Sequence, residues 1–124
     1  MTQPLALLLY EKLLPGSQLV NRLQDLGWRV QTVQDEAALT RTAEEQKPLL
    51  VLADLAASRN SVFDGISQVR RGENTKHIPV IAFTANVDEA VSKAALAAGA
   101  TLVVSDTAVL QHLSQFIDQA LSEF

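Results

Sequence analysis

The chain contains no cysteine among its 124 residues. This absence excludes disulfide bonds, thiolate metal ligands and thiol nucleophiles, and it fits a reducing cytoplasm. Aromatic residues make up only 5% of the sequence. No apolar run approaches the roughly 20 residues that a membrane-spanning helix needs. The N-terminus also lacks a basic patch followed by a long apolar segment, so we expect no signal peptide, no membrane and a cytoplasmic location.

Positive charge is scarce as well. The chain has 10 lysine and arginine residues against 14 aspartate and glutamate residues, which gives a formal net charge of -4. The one basic cluster consists of Arg70, Arg71 and Lys76, and we interpret it as the solvated end of a helix. A chain with this charge offers no electrostatic attraction to DNA, so we expect no nucleic acid among its partners.

Apolar residues, in contrast, make up 48% of the sequence and charged residues 19%, which is typical of a compact globular domain. The length corresponds to one domain, and we find no linker or repeat within residues 1–124. Apolar runs alternate with amphipathic segments. The predicted strands are 5–10, 28–33, 49–54, 78–83 and 102–104. Their alternation with five helices predicts an α/β fold, a doubly wound five-stranded parallel sheet with right-handed crossovers.

Capping residues mark several of the predicted helix starts. Asp35 is a candidate N-cap for the second helix, and Asn86 with Glu89 resembles a capping box for the fourth. Asp106 or Thr107 is expected to cap the last helix, whose apolar residues keep helical spacing up to residue 121. We therefore predict a single uninterrupted helix at the end of the chain.

One carboxylate ends the apolar run at 49–53, and it is Asp54. A continuous apolar run is typical of a strand that is buried on both faces. The carboxyl ends of parallel strands meet at one edge of such a sheet, where open α/β folds bind their ligands. The residues expected at that edge are Tyr10, Glu11, Lys12, Asp54, Thr84, Ser105 and Asp106.

Several segments in this order and spacing resemble one known family. They are Ala6-Leu7-Leu8-Leu9, Lys47-Pro48, Leu50-Val51-Leu52-Ala53-Asp54, Phe63-Asp64-Gly65, Ile78-Pro79-Val80-Ile81-Ala82-Phe83-Thr84-Ala85 and Ala97-Ala98-Gly99-Ala100. Over nearly its full length the chain resembles the response-regulator receiver family. The resemblance implies a (βα)5 flavodoxin-like fold and a signalling protein that accepts a phosphoryl group from a histidine kinase.

The resemblance also implies roles for single residues. Asp54 matches the phosphoacceptor, Thr84 matches the switch hydroxyl, and Glu11 together with Asp54 matches the acids that hold Mg²⁺. Transfer of a phosphoryl group to a carboxylate needs cations and hydrogen-bond donors that offset the negative charge. Each residue also has a plainer interpretation: Asp54 as an ordinary loop acid, Glu11 as a surface acid, Thr84 as a residue that satisfies strand-end backbone groups.

Three residues depart from the family pattern. Tyr10 replaces the first metal-binding acid, and Asp106 stands where the family has a lysine. Lys12 lies where the family commonly has a further acid. Our hypothesis is that Lys12 pairs with Asp54 or Asp106 and that this ion pair replaces the metal. Asp106 as a helix cap and Tyr10 as a packed edge residue are the alternatives.

The leading interpretation is therefore a degenerate receiver that is not an enzyme and acts by binding other proteins. The expected partner is a histidine kinase or an output protein, and a homodimer would use the last two helices and the last strand. The main alternative is a functional receiver that is phosphorylated on Asp54 with Mg²⁺. A third alternative is a flavodoxin-like binder of a nucleotide or flavin, which would need a phosphate cradle after the first strand.

Overall fold

The computed structural model describes residues 4–10, 13–33, 35–55, 61–85 and 87–122. Five strands pair in parallel in the order β2-β1-β3-β4-β5, so β2 and β5 lie at the sides of the sheet. The strands are β1 (Leu5–Leu9), β2 (Arg29–Val33), β3 (Leu50–Asp54), β4 (Val80–Thr84) and β5 (Leu102–Ser105). The predicted doubly wound parallel sheet is confirmed. The strand starts form what we call the amino edge of the sheet, and the strand ends form the carboxyl edge.

Helices cover both faces of this sheet. They are α1 (Leu13–Asp25), α2 (Glu36–Gln46), α3 (Ser61–Arg71), α4 (Glu89–Ala98), α5 (Asp106–Gln111) and α6 (Leu113–Leu121). No helix in the described ranges is long and apolar enough to cross a membrane.

The core has two layers because side chains alternate between the faces of each strand. On one face, Leu7 and Val51 belong to a cluster with buried residues of α2, α3 and α4. On the other face, Leu8 and Leu52 belong to a cluster with buried residues of α1, α5 and α6. All five residues of β1 and of β3 are buried. This explains why both strands read as continuous apolar runs rather than as alternating patterns.

The end of the chain differs from the prediction. The single last helix is wrong, because His112 has φ -125° and ψ 33° and separates α5 from α6. Helical hydrogen bonds nevertheless continue around it, since His112 N–H donates to Ala108 O and Phe116 N–H donates to His112 O. The sequence has neither proline nor glycine at this point, so it holds no local signal for the interruption.

Two predicted caps are also wrong. Asp88, not Asn86, caps α4, because its Oδ1 accepts a hydrogen bond from Val91 N at 2.8 Å. Asn86 itself lies outside the described residues. Ser105, not Asp106 or Thr107, caps α5. The predicted Asp35 cap of α2 is confirmed by a 2.7 Å hydrogen bond from Ala38 N to Asp35 Oδ1.

The interpretation of the basic cluster as a solvated helix end is wrong for one of its three residues. Arg71 and Lys76 are exposed, but Arg70 is half-buried at the amino edge. Its guanidinium donates hydrogen bonds to backbone oxygens beyond its own helix, including Gly99 O. Partners 29 residues away along the chain are invisible to a local sequence pattern, which is why composition alone suggested a solvated side chain.

Candidate functional site

The carboxyl edge brings together the ends of four strands. In the register of the sheet, Leu9 pairs with Ala53, Asp54 with Phe83, and Thr84 with Ser105. Neighbouring strands lie about 4.8 Å apart, so Thr84 and Ser105 lie side by side, and Thr84 is one residue beyond the partner of Asp54. Asp106 follows directly as the first residue of α5. We call Tyr10, Asp54, Thr84, Ser105 and Asp106 the carboxyl-edge site.

Asp54 is the most enclosed acid of the site. It is 4% exposed and is the only buried charged residue within the described ranges. The reason is local: β3 is buried along its whole length, and the ladder continues past Asp54 because Leu55 N–H donates to Phe83 O at 2.9 Å. A carboxylate is stable in such a position only when other groups compensate for its lost hydration. Asp54 is therefore part of the packed sheet and not a solvated loop acid.

Tyr10 follows β1 and is half-buried. Its N–H donates to Val33 O at 3.3 Å, which extends the pairing of β1 with β2 by one residue. Its side chain packs against the apolar cluster of the α1, α5 and α6 face. A tyrosine that is held by apolar packing offers no carboxylate, the ligand that hard divalent cations prefer.

Ser105 and Asp106 organise the start of α5. The Ser105 Oγ accepts a hydrogen bond from Ala108 N at 3.0 Å, so the serine satisfies one of the free N–H groups of the first helical turn. Asp106 is half-buried, and its atom Oδ1 is enclosed. An acid in the first turn also interacts favourably with the positive end of the helix dipole. The Ser105 cap was missed in the sequence, although serine before an acidic first turn is a recognised signal.

The remaining predicted site residues separate into two groups. Thr84 is half-buried at the end of β4, next to Ser105 on one side and one residue beyond the partner of Asp54 on the other. Glu11 and Lys12 lie outside the described residues. The predicted Mg²⁺ ligand Glu11 and the hypothesis of a Lys12 ion pair therefore stay predictions.

The described side chains at this edge offer few ligands for a metal ion. Within the described residues, no group of three histidine, cysteine, aspartate or glutamate side chains is placed to hold a metal ion. Mg²⁺ is commonly bound by one or two carboxylates with several waters.

The connection after β1 bears on the third alternative, a phosphate cradle. β1 ends at Leu9 and α1 begins at Leu13, so Gly16 and Ser17 lie within the helix and not in the loop before it. Nucleotide cradles place glycines in the loop, where exposed backbone N–H groups surround the phosphate. The described backbone does not favour a cradle of this kind.

Comparison with known proteins gives one family. The response regulator receiver domain family matches residues 15–118. No curated protein matches the chain.

Solved structures with the same architecture are numerous. The receiver domain of the sensor histidine kinase PA1611 from Pseudomonas aeruginosa PAO1 has a TM-score of 0.87 at 23% identity, over 98% of this chain and 99% of that chain. The chemotaxis protein CheY4 of Vibrio cholerae has a TM-score of 0.87 at 18% identity, over 97% and 100% of the two chains. A LuxR-family response regulator from Aurantimonas sp. SI85-9A1 has a TM-score of 0.85 at 18% identity, over 98% and 87%. At these identities the likeness establishes the fold.

Proposed function

Because the chain belongs to the response regulator receiver domain family, we propose that it is a receiver module in which Asp54 no longer undergoes the phosphorylation typical of the family. Membership of this family assigns the chain to two-component signalling. The loss of ordinary phosphorylation is our inference from the carboxyl-edge site. In this proposal the chain works by binding other proteins and performs no catalytic turnover.

The observation that carries the proposal is the carboxylate of Asp106 at the start of α5. The family resemblance assigns this position to a lysine, whose positive charge would attract a phosphoryl group on Asp54. A like charge at 4 Å costs on the order of 4 kcal/mol at an effective dielectric constant of about 20, and an opposite charge contributes a similar amount in the other direction. Exchanging lysine for aspartate therefore turns an attraction into a repulsion.

Tyr10 supports the same proposal from the other side of Asp54. The resemblance assigns its position to the first of two metal-binding acids, but the ring of Tyr10 packs against an apolar cluster. The developing charge in phosphoryl transfer is neutralised mainly by metal ions and cationic side chains. An edge that has lost one acid ligand and one cation is poorly equipped for this reaction.

The test is to incubate the purified protein with acetyl phosphate and Mg²⁺ and to measure its intact mass. We expect no phosphate adduct in the wild-type protein. The double variant Tyr10→Asp/Asp106→Lys restores the charges that the family pattern requires, so we expect an adduct that disappears when Asp54→Asn is added. The matched control is Tyr10→Asp/Asp118→Lys, which makes the same change in net charge at an exposed position on α6.

Two outcomes would contradict the proposal. The first is a clear adduct in the wild-type protein that Asp54→Asn removes. The second is an adduct of equal size in the Asp118→Lys control, since the charge at the start of α5 would then not be the deciding feature.

The second candidate function is a working receiver that accepts a phosphoryl group on Asp54 with Mg²⁺. It is favoured by the burial of Asp54 at the end of β3 and by Thr84 at the end of the neighbouring strand. The PA1611 receiver domain was crystallised with a magnesium ion coordinated in its active site cleft. If Mg²⁺ binds this chain, Asp54 and Glu11 would hold it and would supply charge neutralisation at the carboxyl edge.

The partner, in this proposal, is a histidine kinase or an output protein in the cytoplasm. The proposed contact surface is formed by α4, β5 and α5–α6, and a second copy of the chain is an alternative occupant. Two observations support this surface. β5 has no strand on its outer side within the described sheet, and two apolar side chains, Val87 just before α4 and Leu96 on α4, are 41% and 52% exposed. Sedimentation of Leu96→Glu against Leu26→Glu, a leucine of similar exposure (48%) at the end of α1, tests the homodimer. Equal sedimentation of both variants and wild type would exclude it.

A further inference from the structure

Arg70 joins three segments at the amino edge. Its Nε and Nη2 donate to Gly99 O at 3.1 and 2.8 Å, immediately after α4. Its Nη2 also donates to Thr101 Oγ1 at 3.4 Å, and its Nη1 donates to Lys76 O in the loop before β4. Thr101 Oγ1 in turn accepts from Val80 N at 3.2 Å. One side chain on α3 thus connects the end of α4 with the starts of β4 and β5.

Arg70 interacts with the negative end of α4. In the described part of the chain its contacts are carbonyl and hydroxyl oxygens, and it forms no ion pair. A cation near the last carbonyls of a helix interacts favourably with the helix dipole. Burial lowers the pKa of the Arg70 guanidinium below its usual value. The desolvated charge is therefore compensated by backbone dipoles.

Gly99 permits this approach. It has φ 123°, a conformation that side-chain-bearing residues rarely adopt, and a Cβ at this position would lie 2.9 Å from Arg70 Cβ. The glycine therefore serves both the turn that ends α4 and the close packing of the arginine. The absence of a side chain at Gly99 therefore allows Arg70 to pack against the end of α4.

The other half of α4 has weaker attachments. Residues 87–90 are exposed, and within the helix only Ala95 is buried. The apolar contact of the N-terminal half with the core is made by Val91, which is half-buried. The Asp88 cap and the Lys93–Glu89 ion pair are local to the helix. Side chains of other elements also form hydrogen bonds with α4. Between described residues, these bonds go to Ala98 and Gly99 at its C-terminal end.

We propose that α4 is anchored at one end, with Arg70 as the anchor, and that its N-terminal half opens locally while its C-terminal end stays attached to the sheet. Local opening of this kind is drawn from the parts of a fold that have few buried contacts. The free half of α4 follows Thr84 in the chain, so the movable end lies toward the carboxyl edge and the fixed end at the amino edge. This inference does not depend on the proposed loss of phosphorylation.

Amide hydrogen exchange in the native protein tests the proposal. In the wild-type chain we expect the amides of Lys93 and Ala94 to exchange at least about ten-fold faster than those of Gly99 and Ala100. In Arg70→Ala we expect the Gly99 and Ala100 amides to exchange about as fast as those of Lys93 and Ala94. The amides of β1 and β3 should keep their slow exchange. Arg70→Lys keeps the charge but lacks the planar fork that binds Gly99 O, so we expect an intermediate result.

Arg71→Ala is the matched control, because Arg71 is the exposed neighbour of Arg70 on the same helix. It should leave all exchange rates unchanged. Equal protection along the whole of α4 in the wild-type protein would overturn the proposal without any variant. So would a uniform loss of protection in β1, β3 and α4 of Arg70→Ala, since that result describes a general loss of stability and not a local anchor.

Discussion

At the amino edge of the sheet, a half-buried arginine is surrounded by oxygen acceptors; at the carboxyl edge, Asp54 and Asp106 are acids held among strand ends. Arg70 donates to Gly99 O and Thr101 Oγ1. The family resemblance places a cation beside the phosphoacceptor, but the described residues of the carboxyl-edge site contain none. Among the described residues, a half-buried positive charge therefore connects segments of the fold at the edge away from Asp54.

The two edges also differ in how the backbone is constrained. At the amino edge, α3, α4 and the starts of β4 and β5 are connected by side chains that act across long sequence distances. At the carboxyl edge, the Ser105 cap of α5 is a local hydrogen bond with Ala108 N, three residues away. We therefore expect changes to the long-range contacts of the amino edge to affect stability more strongly than the loss of this cap.

The largest expected effect is for Gly99→Ala. Its Cβ would require a rare backbone conformation and would also press against Arg70. Strain and overpacking each cost about 1–3 kcal/mol, so we expect a loss of about 3 kcal/mol in the free energy of unfolding, measured by urea denaturation. Gly27→Ala is the matched control, because Gly27 has φ 90° but a Cβ there would meet nothing within 4 Å. Equal losses for both variants would show that contact with Arg70 contributes nothing.

A smaller effect is expected for Thr75→Val in the loop between α3 and β4. Thr75 is 1% exposed, and its Oγ1 donates to Val69 O at 2.6 Å. Valine keeps the shape but removes the donor, and leaving a buried acceptor unsatisfied costs about 1–2 kcal/mol. Thr32→Val, at an exposed position of β2, should change the free energy of unfolding by less than about 0.5 kcal/mol in the same measurement. No difference between these two variants would contradict the importance assigned to the amino edge.

The smallest effect is expected at the carboxyl edge, for Ser105→Ala. Loss of the cap of α5 should cost about 1 kcal/mol in thermal or urea unfolding. Ser105→Asn keeps a side-chain acceptor for Ala108 N without adding a negative charge beside Asp106, and it should recover most of the loss. Ser114→Ala, at an exposed position of α6, is the control and should have no measurable effect. A loss larger than that of Gly99→Ala would reverse the ranking of the two edges.

Much of the site's position was predictable because it follows from the fold class. The apolar run that ends on Asp54 predicts a buried parallel strand with an acid at its carboxyl end, and β3 is such a strand. The positions of Thr84, at the end of the neighbouring strand β4, and of Asp106, after β5 one strand further, follow from strand order. Their chemical roles do not follow from geometry, so the phosphoacceptor, switch and metal assignments stay predictions.

The two wrong cap predictions have a common cause. Asn86 and Asp106 are both good capping residues, but Asp88 and Ser105 take those places because the strand ends and loop lengths fix where each helix begins. His112 interrupts the last helix without a proline or glycine. Several cap candidates within two or three residues are equivalent in sequence, and only the packed structure selects one.

By itself, the sequence determined the doubly wound parallel sheet and the location of Asp54. The spacing of apolar residues is a local property, and it decides which segments can bury their side chains as strands and which as helices. Only the tertiary structure decided that Arg70 is half-buried and hydrogen-bonded to the end of α4, and that Ser105 caps α5. Each of these depends on groups that come together across the sheet, such as Arg70 and Gly99. Whether a charge is solvated or enclosed is a property of the packed chain and not of the residue.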